Sequence, residues 1–274
     1  MSVVWLDGAL VDDVRAVLPV ADHVTTLGDG VFETLAVVDG RPFAVTRHVA
    51  RLAASAAAVG LAAPDDDVVR GALAAVLRAA PGCGRLRVTW TAGDGPAGAA
   101  RGPGPGRLLV VGSPPAPSGP VRAWRAPWVR NERSPLVGVK STSYQENVVA
   151  LAAARRRGAD EALLADSTGR LSEGATSNVL VAADDALLTP SLATGCLPGV
   201  TRALLLEWSA SLPVAVREGD VALADLDGRP LAVTSALRGV APVVALDGVP
   251  LAPDPRLACL AAAFAARRAD EPDP

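Results

Sequence analysis

A proline-rich segment at residues 112–120, GSPPAPSGP, divides the chain and limits what it can fold into. Proline lacks a backbone N–H and clashes inside helices, so neither a helix nor a central strand continues through such a segment. We therefore predict a small N-terminal α+β domain over 1–111, a linker at 112–120 and a larger C-terminal domain over 121–274.

The apolar pattern on both sides of this linker predicts a mixture of helices and strands. Alternating or continuous apolar runs predict strands at 84–93 and 106–112, and six further strands after the linker. The final residues, ADEPDP, are predicted to be disordered. Apolar residues at helical spacing predict helices at 43–61, 65–80, 145–157, 199–210 and 254–268.

Composition argues against several classes of protein. The net charge is −3 and no long basic stretch occurs, so nucleic acid is not expected as a partner. Three cysteines lie far apart and form no CxxC pair, which argues against a disulfide scaffold and against a metal site. The first residues are acidic where a signal peptide is basic, and no apolar run reaches the ~18 residues of a membrane helix. We expect a cytoplasmic protein without a membrane partner.

The segment VKSTSYQENVV, residues 139–149, holds the only lysine and the only tyrosine of the chain, Lys140 and Tyr144. Arginine can replace a surface lysine in most roles, but it cannot lose its proton in a protein. A lysine kept among so many arginines is therefore a candidate Schiff-base residue or general base. The alternative is that a biased composition left one lysine by chance.

Further candidate groups lie on both sides of this lysine. Glu173 lies in LSEGATSN, where we predict a glycine-flanked turn between strands. A Pro-Gly turn then opens directly into an apolar helix, so Val200 and Thr201 would offer backbone N–H groups and a hydroxyl to an anion. Arg51 lies on a predicted helix, from which it could hold a phosphate. A nucleophilic amine, an acid and a phosphate cradle are what pyridoxal phosphate requires.

At these residues the chain resembles the fold-type IV family of pyridoxal-phosphate enzymes, which contains the class IV aminotransferases and the aminodeoxychorismate lyases. The resemblance rests on the ordered set GDGVFETL, RHVARL, K…Y, GADEALL, EGATSN and TP…LPGVTR, and covers most of the chain. It implies a two-domain α+β fold, similar to that of D-amino-acid aminotransferases, with a barrel-like sheet in the C-terminal domain. The resemblance also implies a homodimer and the cofactor pyridoxal 5′-phosphate.

The resemblance assigns roles to particular residues. It implies that Lys140 carries the aldimine, that Glu173 contacts the ring nitrogen, and that Arg51 binds the phosphate. Val200 and Thr201 would contact the same phosphate, and Tyr144 would contact the phenolic oxygen of the cofactor.

The motifs that vary within the family favour a lyase. Phe32 stands where D-amino-acid aminotransferases usually have tyrosine, and the late turn TSALRG differs from the GTAAE-like turn of branched-chain enzymes. We therefore expect a 4-amino-4-deoxychorismate lyase that forms 4-aminobenzoate and pyruvate, with the freed Lys140 amine removing a proton. The substrate is a small carboxylated amine, for which Arg238, Arg130 and Phe32 are candidate ligands. The alternatives are a class IV aminotransferase acting on branched-chain or D-amino acids, and a non-catalytic relative that only binds the cofactor.

Overall fold

The computed structural model describes residues 2–11, 18–116 and 119–274, so two residues of the predicted linker lie outside the described part. The described residues within 1–116, together with 139–144 and 271–274, form one compact unit. Those within 117–138 and 145–270 form a second unit. This grouping differs from a single division at 112–120, because the lysine segment and the last four residues belong with the first unit.

The first unit combines a six-stranded sheet with helices. Its strands are β1 (Val3–Leu6), β2 (Ala9–Val11), β3 (Gly30–Val38), β4 (Arg41–Pro42), β5 (Arg85–Thr91) and β6 (Leu108–Ser113). Its helices are α1 (His23–Leu27), α2 (Val45–Ala58) and α3 (Asp66–Ala79).

The sheet of the first unit is antiparallel, with the strand order β2-β1-β6-β5-β3-β4. One core joins the sheet to α2 and α3, with Leu35, Leu52 and Leu86 almost fully buried. Both helices bury one apolar face and leave alanine and charged residues outside, which is the amphipathic pattern that the sequence predicts.

The second unit combines nine described strands with α-helices and short 3-10 helices. Its strands are β7 (Val121–Val129), β8 (Glu161–Ala165), β9 (Leu171–Gly174), β10 (Asn178–Ala182), β11 (Leu187–Thr189), β12 (Val216–Glu218), β13 (Leu231–Ser235), β14 (Gly239–Leu246) and β15 (Val249–Pro250). Its α-helices are α4 (Gln145–Arg156), α5 (Val200–Trp208) and α6 (Pro255–Asp270), and short 3-10 helices occupy Leu192–Thr194, Ser209–Ser211 and Leu223–Leu226.

The sheet of the second unit is mixed. Its order is β12-β11-β10-β13-β14-β7-β8-β9, with β15 paired to β14. Parallel pairing joins β7 to both β14 and β8, while β13 lies antiparallel to β10 and β14. The strands β8, β9 and β10 are buried along their whole length, which explains the apolar runs ALLA in β8 and VLVA in β10.

Most of the predicted elements are present, and two local predictions are wrong. Glu173 lies within strand β9 and is buried there, two positions before the bend at 175–177, and not in a turn as expected. The last residues are ordered, because backbone and side-chain groups of 272–274 bond to the start of α2. In the described part of the chain, every helix is too short or too polar to cross a membrane.

Candidate active site

The segment that carries Lys140 runs antiparallel along strand β3 in the first unit. The carbonyl oxygen of Lys140 accepts a hydrogen bond of 2.8 Å from the amide of Phe32. The amide of Lys140 donates to Ser55 Oγ on α2 at 3.3 Å, and Val31 forms a β-bridge with Ser141. The backbone of the lysine is therefore held by a strand on one side and by a helix on the other.

The hydroxyl side chains that follow the lysine attach this segment to the loop before β3. Thr142 Oγ1 donates to the carbonyl oxygen of Gly28 at 2.5 Å, and Ser143 Oγ donates to the same oxygen at 3.2 Å. Gly28 has a φ of +66°, and a Cβ there would lie 3.0 Å from Ser143 Oγ. A Cβ at Gly30 would lie 2.7 Å from the carbonyl oxygen of Trp90. Both glycines of the GDG motif are thus required for the close approach of the lysine segment.

Two aromatic rings lie beside the lysine amine. Lys140 Nζ lies 4.4 Å from the centroid of the Phe32 ring and 5.8 Å from that of Tyr144. The two rings meet edge to face at a centroid distance of 5.4 Å. Phe32 and Tyr144 therefore form one wall beside the amine, and both were predicted from the sequence to belong to the site.

Arg87 is a residue that the sequence analysis missed. It lies on β5 with its guanidinium carbon 3.3 Å from the centroid of the Phe32 ring. Burial lowers its pKa to about 10, although Tyr144 and Glu33 act in the opposite direction. Within the described residues, Arg87 makes no ion pair with a carboxylate. The only sequence signal was the alternation of polar residues in RLRVTWT, which does not identify the ring that Arg87 covers.

Arg51, the predicted phosphate ligand, forms an ion pair inside the first unit. Its Nε and Nη2 donate to the two carboxylate oxygens of Glu33 at 2.6 and 2.7 Å, and His48 Nδ1 lies 2.7 Å from the same carboxylate. Burial by itself raises the pKa of Glu33, but Arg51 and His48 together lower it to about 2. Stability from this pair is therefore present above the ordinary pKa of glutamate and is lost only as the pH falls through about 2. Phosphate binding by Arg51 stays a prediction.

Glu173 lies in the second unit and is 7% exposed. Its Oε2 accepts a hydrogen bond of 3.0 Å from the amide of Leu197. Its Oε1 lies 3.0 Å from Arg130 Nε, in an ion pair that lacks the alignment of a hydrogen bond. The structure thus pairs Arg130, a predicted substrate ligand, with Glu173. An amide and a guanidinium thus hold this buried carboxylate in place, and its contact with a cofactor ring nitrogen stays a prediction.

The start of α5 has the features of an anion site. Gly199 is the N-cap and provides no side chain to the first turn, whose backbone N–H groups have no partner within the helix. A Cβ at Gly199 would lie 2.0 Å from Asn178 Oδ1, so only glycine fits. Val200 and Thr201 follow in the first turn, and both are buried. These groups fit a phosphate, because free N–H groups and the helix dipole both favour an anion.

Arg238, the other predicted substrate ligand, is paired with a buried carboxylate. Its Nη1 donates to Glu161 Oε2 at 2.9 Å and to Thr176 Oγ1 at 3.2 Å. Glu161 is fully buried and needs this positive charge, because an unpaired buried carboxylate is strongly unfavourable. Arg238 therefore holds the turn after β13, and its contact with a substrate stays a prediction.

Comparisons with known proteins identify the family of this chain. Residues 30–246 match the family model of class IV amino-transferases, and the chain belongs to this family. It is a pyridoxal-phosphate-dependent enzyme with the two-domain fold-type IV architecture, as the resemblance implied.

Individual relatives are similar along nearly their whole length. The "Putative branched-chain-amino-acid aminotransferase" of Methanocaldococcus jannaschii is 30% identical over 257 residues, covering 89% of this chain and 88% of the relative. The bifunctional aminodeoxychorismate lyase / D-amino acid transaminase of Mycobacterium tuberculosis is 28% identical over 282 residues, covering 90% and 91%. The pyridoxal-phosphate-bound structure of a hypothetical aminotransferase from M. tuberculosis is 27% identical, with a TM-score of 0.84 and coverage of 97% and 100%.

Proposed function

We propose that this protein is an aminotransferase that moves an amino group between an amino acid and a 2-oxo acid, at least one of which carries a second carboxylate. We thus prefer the aminotransferase reaction to the lyase reaction that the sequence motifs favoured. The names of the relatives support this preference, because all three are named aminotransferases or transaminases and one is also named a lyase.

We assign each expected contact with the cofactor to a residue of this chain. Lys140 would hold the cofactor through Nζ, Glu173 would hold its ring nitrogen, and Tyr144 would hold its phenolic oxygen. Val200 and Thr201, together with Arg51, would bind its phosphate. When bound, pyridoxal phosphate supplies an electron sink and a carrier for the amino group. Lys140 Nζ would remove a proton from the amino-bearing carbon of the donor in one half of the reaction. In the other half it would deliver a proton to the equivalent carbon of the new amino acid.

The observation that carries the proposed substrate class is the position of Arg87. Its guanidinium and the amine of Lys140 both lie against the ring of Phe32, at 3.3 and 4.4 Å from the centroid. The other arginines discussed above have carboxylate partners in Glu33, Glu173 and Glu161. A substrate carboxylate is therefore the natural partner of Arg87, and it would be bound close to the reacting amine.

The reaction type is tested by supplying the amino donor with and without a 2-oxo acid. An aminotransferase stops after one turnover per site until the acceptor arrives. With glutamate as donor and a panel of branched-chain and aromatic 2-oxo acids, we expect sustained turnover that depends on the acceptor. Failure with every L- and D-donor tested would contradict the proposal.

Replacing Arg87 by alanine tests the substrate class. A charge-assisted contact of about 1.5–3 kcal/mol corresponds to a roughly 10- to 150-fold loss in kcat/KM. We expect this loss for glutamate and 2-oxoglutarate, and a much smaller one for substrates with a single carboxylate. Equal losses in kcat/KM for substrates with one and with two carboxylates would instead indicate that Arg87 binds the carboxylate that all amino acids share.

The matched control for this variant is Arg85→Ala. Arg85 lies two residues away on the same strand but is exposed to solvent. It should leave both kinds of substrate almost unchanged. A loss equal to that of Arg87→Ala would indicate a general effect of positive charge on β5.

The lyase remains a second candidate, favoured by the bifunctional name of the M. tuberculosis relative. Aminodeoxychorismate also carries two carboxylates, so Arg87 would suit it equally well. Sustained release of pyruvate and 4-aminobenzoate from aminodeoxychorismate, without any acceptor, would establish this activity. Absence of both activities in a protein that binds the cofactor would favour the non-catalytic alternative.

A further inference from the structure

Several side chains of helix α2 bond to β3 and to the lysine segment, but the helix has no capping side chain at its N-terminus. Its N-cap position is Ala44, which has a φ of +55° and no side chain that could accept a hydrogen bond. The N–H groups of the first turn of a helix have no partner within the helix, so something else must satisfy them.

The segment 272–274 supplies the missing acceptors from the other end of the chain. The carbonyl oxygen of Pro272 accepts from the amide of Ala44 at 2.7 Å. The carboxylate of Asp273 accepts from the amide and the hydroxyl of Thr46, at 2.9 and 2.7 Å. A backbone oxygen of Pro274 accepts from Arg47 Nε at 2.8 Å.

These contacts suit a helix cap chemically. A carboxylate near a helix N-terminus is stabilised by the helix dipole as well as by the hydrogen bonds. The prolines on either side of Asp273 restrict the backbone and have no N–H of their own, so the segment loses little freedom when it docks.

We propose that Asp273 is a positioning residue, which fixes the start of α2 and thereby the side chains that α2 presents to the lysine segment. Ser55 accepts from the amide of Lys140, and Arg51 and His48 hold Glu33 on β3. All three side chains project from α2, so a shift of the helix moves them together, and fraying of its first turns reaches His48 and Arg51. The effect on cofactor binding rests on the proposed role of Arg51.

The test compares Asp273→Ala with Asp273→Asn in the full chain. Asparagine keeps the shape and one acceptor oxygen, and it is as good an N-cap as aspartate. The control is Asp270→Ala, which removes the same charge from an exposed position at the end of α6. Amide hydrogen exchange is followed in α2 and α3, and the dissociation constant of pyridoxal phosphate is measured by absorbance titration.

We expect Asp273→Ala to speed exchange of the first-turn amides of α2 by about 2- to 30-fold, the range that follows from loss of an N-cap. Exchange in α3 should not change, and the dissociation constant of pyridoxal phosphate should rise at least ~3-fold. Asp273→Asn should restore both values, and Asp270→Ala should alter neither.

Three results would overturn the proposal. Equal acceleration in α2 and α3, or no rescue by asparagine, would each indicate general destabilisation. Faster exchange in α2 with unchanged cofactor affinity would make Asp273 a cap without influence on the site. Failure of the proposed aminotransferase function would appear separately, as absent turnover in the unaltered protein.

Discussion

Lys140→Arg is expected to fold and yet to lose turnover by on the order of 10³-fold or more. Arginine preserves the charge and much of the length of the side chain, so the packing against Phe32 and Tyr144 should survive. A guanidinium cannot deprotonate in a protein, so it can neither hold the cofactor covalently nor accept a proton from the substrate. Steady-state turnover and a thermal unfolding curve measure the two halves of this expectation.

Because the chain has no other lysine, covalent attachment of the cofactor to Lys140 can be tested directly. Borohydride reduction of the unaltered protein should attach a pyridoxyl group to Lys140, and mass mapping has no second lysine to confuse it. A control that adds Arg85→Lys to Lys140→Arg supplies an exposed amine elsewhere on β5, which should be neither labelled nor active. A label on the N-terminal amine of the unaltered protein, with full activity in Lys140→Arg, would exclude Lys140 from the reaction.

Glu173→Gln is expected to lower turnover by about 10²- to 10³-fold while the cofactor remains bound. Glutamine keeps the shape and can still accept from the amide of Leu197, but it removes the negative charge. That charge is what would keep the ring nitrogen of the cofactor protonated, and protonation is what allows the ring to accept electrons. The measurements are kcat and the visible absorbance of the bound cofactor as a function of pH.

Glu146→Gln is the matched control for this variant. Glu146 is the other carboxylate near Arg130, at 3.7 Å, but its side chain is 85% exposed. An exposed pair of this kind contributes little, so its loss should change turnover by less than about 2-fold. Near-normal turnover in Glu173→Gln would show that another group controls the ring nitrogen.

Local patterns in the sequence predicted the elements of the fold well. The helical spacing in 43–61 and 65–80 corresponds to α2 and α3, and the segment predicted at 145–157 corresponds to α4 (Gln145–Arg156). These predictions succeed because an amphipathic helix records its buried face in the spacing of its apolar residues. Glu173 was placed in a turn because the glycine beside it resembles a turn residue. That glycine instead leaves room for Ser177 Oγ, which would lie 2.3 Å from a Cβ at Gly174.

The charges of the site were harder to predict, because their partners are distant in the chain. Arg51 lies 18 positions from Glu33, and Arg238 lies 77 positions from Glu161. Arg87 escaped notice for a related reason, since its contact with Phe32 depends on the register of β3 against β5, where Arg87 lies opposite Thr34. The pattern of residues within one strand does not determine how that strand is aligned with its neighbour.

The sequence by itself determined that Lys140 is the sole side-chain primary amine and that the ordered motifs are those of one enzyme family. It also determined that helices and strands occur on both sides of a proline-rich segment. These properties depend on residue chemistry and on local spacing, which a sequence contains in full. Only the tertiary structure decided that Arg51, Arg130 and Arg238 lie beside carboxylates, and that Arg87 lies over the Phe32 ring. The same holds for the distant aspartate that caps α2. Such pairings are decided by burial and by the contacts between remote segments, because a buried charge must find its partner wherever the fold brings one.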